Sequence, residues 1–210
     1  MNVEDIKELN ESSITDDKFK RLMVDFLLEE PFFASIIMNM KKVKSLSLPT
    51  AGVTVKDNSI VMFWNPTFVS KLSKYHFFGL MKHECYHLIY QHVTARKQDP
   101  HVLWNIATDL AINSMIRRDY LPDGGLIPGE KFSESSFSNL TSEEKERHMR
   151  MSDFIASLPK LKSSEWYMDA LKSDDQISQD FEEAFSSSGG AGFDVHIEGA
   201  EGMSESDKQI

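Results

Sequence analysis

Cysteine is almost missing from the chain: Cys85 is the single one in 210 residues, which excludes an internal disulfide and fits a reducing compartment. Basic residues are also the minority. There are 23 Lys and Arg against 33 Asp and Glu, a formal net charge of −10, and no cationic cluster beyond Lys41, Lys42 and Lys44. Such a surface repels a phosphate backbone, so nucleic acid is not an expected partner. Long apolar runs are lacking too. FFASIIM is far short of the roughly 20 residues that a membrane-spanning helix requires, so no membrane association is expected. The first twenty residues are acidic and polar, unlike a basic stub followed by an apolar run, and a cytoplasmic location is the expectation. There is no internal repeat. The 40% hydrophobic content suffices for one buried domain with an appendage.

Periodicity orders the elements. Phe19, Leu22, Met23, Phe26 and Leu27 recur at helical spacing after Asp16 and Asp17, predicting an amphipathic helix that ends at Pro31 or resumes just beyond it. VTV and IVMFW, separated by Asp57, Asn58 and Ser59, read as a β-hairpin, and Asn65-Pro66 closes its second strand. A short helix is expected in PTFVSKLS and a longer one from His76 to about His92. After a loop at Gln98 to Pro100, HVLWNIATDLAINSMIRR reads as a helix whose two arginines suit a C-terminus. LPDGGLIPGEK is a loop. Thr141 or Ser142 with Glu144 or Lys145 forms a capping box ahead of a further helix. From about Lys172 the chain becomes acidic and rich in small residues, with a linker-like SSSGGAG, so a domain over 1–172 and an acidic, flexible tail over 173–210 are expected.

HECYH, at His83 to His87, is the stretch that carries chemistry. Two histidines four apart share one helix face and can reach one metal ion, and the Glu84 between them is a candidate general base. On a helical wheel His76 and Tyr90 fall on the histidine side, Phe77, Met81, Cys85 and Leu88 fall opposite, and Glu84 lies at the border. Cys85 therefore reads as core rather than nucleophile or ligand. A catalytic zinc takes three protein ligands and leaves one position open for water, so a third ligand must come from elsewhere. His92, nine residues after His83, is turned about 180° away on a straight helix and reads as a hydrogen-bonded residue near the helix end. Asp109, 22 residues after His87 on the next helix, is the stronger candidate. Asn105 and Asn113 flank it at i−4 and i+4. That polar stripe is either a solvated face or a carboxylate ligand whose neighbouring amides hold the histidine N–H groups in their ligating tautomer.

The segments EEPFF (Glu29 to Phe33), TAGV (Thr50 to Val53), NPTF (Asn65 to Phe68), LMKHECYHLIYQH (Leu80 to His92) and WNIATDLAIN (Trp104 to Asn113) together resemble the putative metallopeptidase domain of bacterial and phage proteins that often precedes a von Willebrand factor A-like domain. HExxH alone is shared by many zinc proteases. Its pairing with WNIAxDxxIN is more specific, and the resemblance spans somewhat more than half the chain. It implies an α+β, zincin-like fold, mostly helical with a small antiparallel sheet or hairpin, in a bacterial or phage-infected cell. It further implies zinc on His83, His87 and Asp109, with Glu84 as base. The D-x-S-x-S motif of an A-like domain is not found here.

Hydrolysis of a polypeptide is the activity this implies. Tyr90 or His76 could add an oxyanion donor, and an open edge of the IVMFW strand could hold an extended substrate. His196, within FDVHIEG, reads as a surface residue of the tail rather than a ligand. The alternative is a binding or adaptor module in which the peptidase fold no longer hydrolyses and the acidic tail meets a protein partner. Glu84 separates the two, because an adaptor has no use for it.

Overall fold

The computed structural model describes residues 3–56, 58–122, 125–133 and 140–186, with side chains described between residues 16 and 185. The SSSGGAG linker beyond Ser186 and His196 lie outside the described residues. The fold is mostly helical α+β. Helices α1 (Val3–Glu29) and α2 (Pro31–Met38) precede strands β1 (Lys41–Lys44), β2 (Ala51–Lys56) and β3 (Ser59–Trp64). Then come α3 (Pro66–Lys71), α4 (Lys74–Ile89), α5 (His101–Asn113), a 3-10 turn (Arg118–Tyr120), α6 (Ser142–Ser157), α7 (Ser164–Lys172) and α8 (Asp175–Ser186).

Local chemistry explains the helix starts. Asn65 Oδ1 accepts from the N–H groups of Thr67 and Phe68 at 2.8 and 3.2 Å, with Pro66 next, where its missing N–H costs nothing. Ser73 accepts from His76 N–H at 3.1 Å and starts α4. Thr141 and Glu144 close the expected capping box on α6.

The sheet has three strands in the order β1-β3-β2, with β3 antiparallel to β2 as the hairpin reading required and parallel to β1. This corrects one expectation. The IVMFW strand is central and paired along both sides, so it offers no open edge to a substrate. Strand β1 has no apolar alternation to reveal it, only Lys41, Lys42, Val43 and Lys44 held by backbone pairing to Val61 through Trp64.

Two hydrophobic cores lie on either side of the α4–α5 pair. In the first, α1 and the sheet clamp the apolar side of α4. Phe19 stacks on Trp64 with ring centroids 4.2 Å apart and meets Phe77 edge-on at 5.7 Å, while Phe26 meets Phe78 at 5.1 Å. Each such aromatic contributes roughly 1.5–3 kcal/mol through burial, so α4 is firmly anchored. Gly79 lets α4 press against the 3-10 turn: a Cβ there would lie 2.0 Å from the Tyr120 carbonyl oxygen. In the second core, Trp104, Leu110, Met151, Ile155, Tyr167 and Phe181 join α5 to α6, α7 and α8. Helix α5 serves both, since its Ile112 belongs to the first core.

Two boundaries differ from the sequence expectations. The arginines do not end α5, which stops at Asn113 with Ser114 as its C-cap; Arg117 and Arg118 instead pair with Asp119 and Glu130. Nor does residue 173 open a tail within the described residues. Residues 175–186 form α8, whose Ile177, Phe181 and Phe185 are buried in the second core. Acidic residues on its outer face conceal an i, i+4, i+8 apolar stripe.

Candidate metal centre

Helices α4 and α5 bring the predicted ligands together. The Nε2 atoms of His83 and His87 are 2.9 Å apart, and Asp109 Oδ1 lies 3.4 Å from each. The i, i+4 spacing stacks the two imidazoles on one side of α4, and α5 delivers the carboxylate from across the helix pair. Among the described residues these three form the group of His, Cys, Asp and Glu side chains close enough to share a metal ion, all their donor atoms lying within 4.8 Å of one another. His83, Glu84 and His87 are fully buried and Asp109 is 4% exposed. The histidine side of α4 thus faces α5 rather than an open cleft.

The hydrogen-bond network selects a tautomer. Asn113 Nδ2 donates to the Leu126 carbonyl at 3.0 Å, which fixes the amide orientation and leaves Oδ1 to accept from His83 Nδ1–H at 2.9 Å. With its proton on Nδ1, His83 turns the Nε2 lone pair towards His87 and Asp109. A buried group of lone pairs and a carboxylate fits a divalent cation, because burying the Asp109 charge alone would be costly. The donor set therefore suits a metal of the kind that two imidazoles and one carboxylate hold.

Asn105, the other expected amide, is half-buried, and its side chain makes no hydrogen bond to the cluster among the described residues. Tyr90 caps α4, stacks between Tyr86 and His92 at 5.8 and 5.6 Å, and points its hydroxyl at Met115 Sδ, 3.6 Å away. His76 lies in the first turn of α4, two turns or about 10 Å along the axis from His83. Neither converges on the cluster. His92 is buried, with Nε2 3.0 Å from Ser164 Oγ and its ring 5.4 Å from that of His87, so it braces a candidate ligand from behind. Cys85 is fully buried, and burial pushes its thiol pKa up, as a core residue requires.

The carbonyl of Leu126 and the hydroxyl of Ser164 support the site without any trace in the motif. A backbone oxygen carries no residue signature, and Ser164 is 72 residues from His92, so only the folded chain joins them.

No helix among the described residues is long and apolar enough to cross a membrane. No curated protein and no solved structure matches the chain. The sequence model of one family, described as putative metallopeptidase domain, matches residues 16–209, so that the motif segments, both cores and the clustered His83, His87 and Asp109 all fall within it; the chain belongs to that family.

Proposed function

We propose that the protein is a zinc-dependent hydrolase of peptide bonds. The observation that carries this reading is the convergence of two imidazole nitrogens and one carboxylate oxygen on a single buried point, with Glu84 on the same helix as the imidazoles. Zinc would be held by the Nε2 atoms of His83 and His87 and a carboxylate oxygen of Asp109, while Asn113 would keep His83 in the tautomer that leaves Nε2 unprotonated. Bound there, zinc supplies a water whose pKa is near 7 and a Lewis acid for the scissile carbonyl. Glu84 is three residues before His87, the spacing at which side chains are neighbours on a helix surface, and this supports its role as the base. It accepts the proton of the attacking water and returns it to the leaving amine nitrogen, as general acid–base catalysis requires. The burial of all four side chains excludes bulk water and strengthens each electrostatic contact.

The deciding experiment is elemental mass spectrometry on purified wild type and Asp109→Ala, with hydrolysis of an unfolded protein substrate followed in parallel. About one zinc per chain, sharply reduced in the variant, is expected of a three-ligand site. Glu84→Gln should retain the zinc and lose about 10²- to 10⁴-fold in turnover. Absence of zinc from wild type after zinc has been supplied overturns the reading, and normal turnover by zinc-loaded Glu84→Gln removes Glu84 from the mechanism.

A further inference from the structure

Behind His92 lies a cavity of about 270 Å³ between the end of α4, the end of α5 and the turn that opens α7. It is smaller than the roughly 300–1,000 Å³ typical of sites for whole small-molecule ligands, a size suited to one side chain. His92 is the wall it shares with the metal centre: one part of the ring abuts His87, and Nε2 meets Ser164, which also lines the cavity.

The lining has a definite charge. Ala111 supplies a buried apolar floor with Met115 and Leu161 at its more exposed edge, and Arg96 and Lys162 supply two cations with no carboxylate among the lining residues. Arg96 is matched by Glu165 just outside and is further held by the Tyr90 carbonyl at 3.2 Å. Lys162 is exposed at the rim, where its ammonium lies 5.7 Å from the Trp166 ring centroid and makes no ion pair among the described residues. In a chain with a net charge of −10, a cavity with an uncompensated cation beside the metal centre selects for negative charge.

We infer that this cavity is a specificity pocket that receives an acidic side chain of the peptide substrate, its methylene stem against Ala111, Met115 and Leu161 and its carboxylate on Lys162. Glutamate fits better than aspartate, since its longer stem uses the apolar floor. Lys162 is then the specificity-determining residue, and it takes no part in bond cleavage.

The inference rests on the peptidase reading, and two readouts keep them apart. Zinc-loaded wild type and Lys162→Glu are compared on a peptide library for cleavage, with zinc content and thermal midpoint as folding controls. Glu84→Gln, with and without Lys162→Glu, is titrated calorimetrically with paired peptides that differ only by Glu or Lys at one position. Wild type should favour Glu over Lys next to the cleaved bond, and Lys162→Glu should lower that ratio by about tenfold or more. Cleavage with no acidic preference, or with one unchanged in Lys162→Glu, overturns the pocket and leaves the peptidase reading intact. Binding that prefers Glu through Lys162 without any cleavage by wild type supports the pocket and overturns the peptidase reading. Neither cleavage nor preferential binding overturns both.

Discussion

Asn113 has two jobs that can be separated by mutation. Its Nδ2 is tied to the Leu126 carbonyl, and its Oδ1 holds His83 Nδ1. In Asn113→Ala the His83 ring is free to place its proton on Nε2, where it blocks the donor atom. Zinc affinity should therefore fall about 10- to 100-fold, the usual cost of removing a partner behind a metal-ligating histidine. A competition titration against a chelating dye measures this directly. Asn105→Ala is the matched control, because the Asn105 side chain makes no hydrogen bond to the cluster among the described residues, and its affinity should stay within about threefold of wild type. Equal losses in both variants would mean that Asn113 acts only through general stability. The pair also shows what the motif could convey. Both asparagines lie one turn from Asp109, so spacing treats them alike, and only the position of the Leu126 carbonyl distinguishes them.

At the scale of elements, α8 shows most clearly where sequence legibility ended. HECYH and the hairpin were readable because their information is local: candidate ligands four apart, and two β-rich runs, VTV and IVMFW, on either side of the turn-forming Asp57, Asn58 and Ser59. The β1 strand was not, since KKVK has no periodicity and is defined by its pairing to β3. Helix α8 was obscured by its acidic composition, although Ile177, Phe181 and Phe185 mark an inward stripe. Phe181 is fully buried, so Phe181→Ala should destabilise the fold by about 3–5 kcal/mol, read from denaturant midpoints at unchanged slope. A near-neutral result would show that the α8 stripe contributes little to the second core. The ionic link to α6 adds a pH dependence. Arg150 grips Asp180 through two bonds, Nε to Oδ2 at 2.7 Å and Nη2 to Oδ1 at 2.8 Å, and holds that carboxyl below the usual carboxylate range. A depressed folded pKa gives stability that is present above the unfolded value, near 3.9, and is lost as pH falls through the folded one. Melting curves from about pH 6 down to 2.5 should thus show a steep acid limb below about pH 4 in wild type and a shallower one in Asp180→Asn. Parallel acid limbs in the two proteins would mean that the pair does not set the acid sensitivity.

Across the whole molecule, the candidate metal centre spans the division between the two cores. His83 and His87 belong to α4, whose apolar side is packed into the first core, while Asp109 rides on α5, which supplies Trp104 and Leu110 to the second. A cation shared by the three donors therefore ties the two halves together, and the unfolded chain has no preformed site to compete for it. Linkage then requires that metal stabilise the fold by about 2.7 kcal/mol when free zinc is 100 times the dissociation constant. For a chain of this size that corresponds to a rise of roughly 5–10 °C in the melting temperature. Scanning calorimetry on zinc-loaded and chelator-treated wild type measures the difference, and the same treatment of Asp109→Ala should leave its melting temperature nearly unmoved. The comparison also tests where the cation binds: a chelator effect as large in Asp109→Ala as in wild type would place the stabilising metal elsewhere than between α4 and α5. A two-step melt of the metal-free protein, merging into one transition on adding zinc, would show that the cores unfold separately once the link is removed.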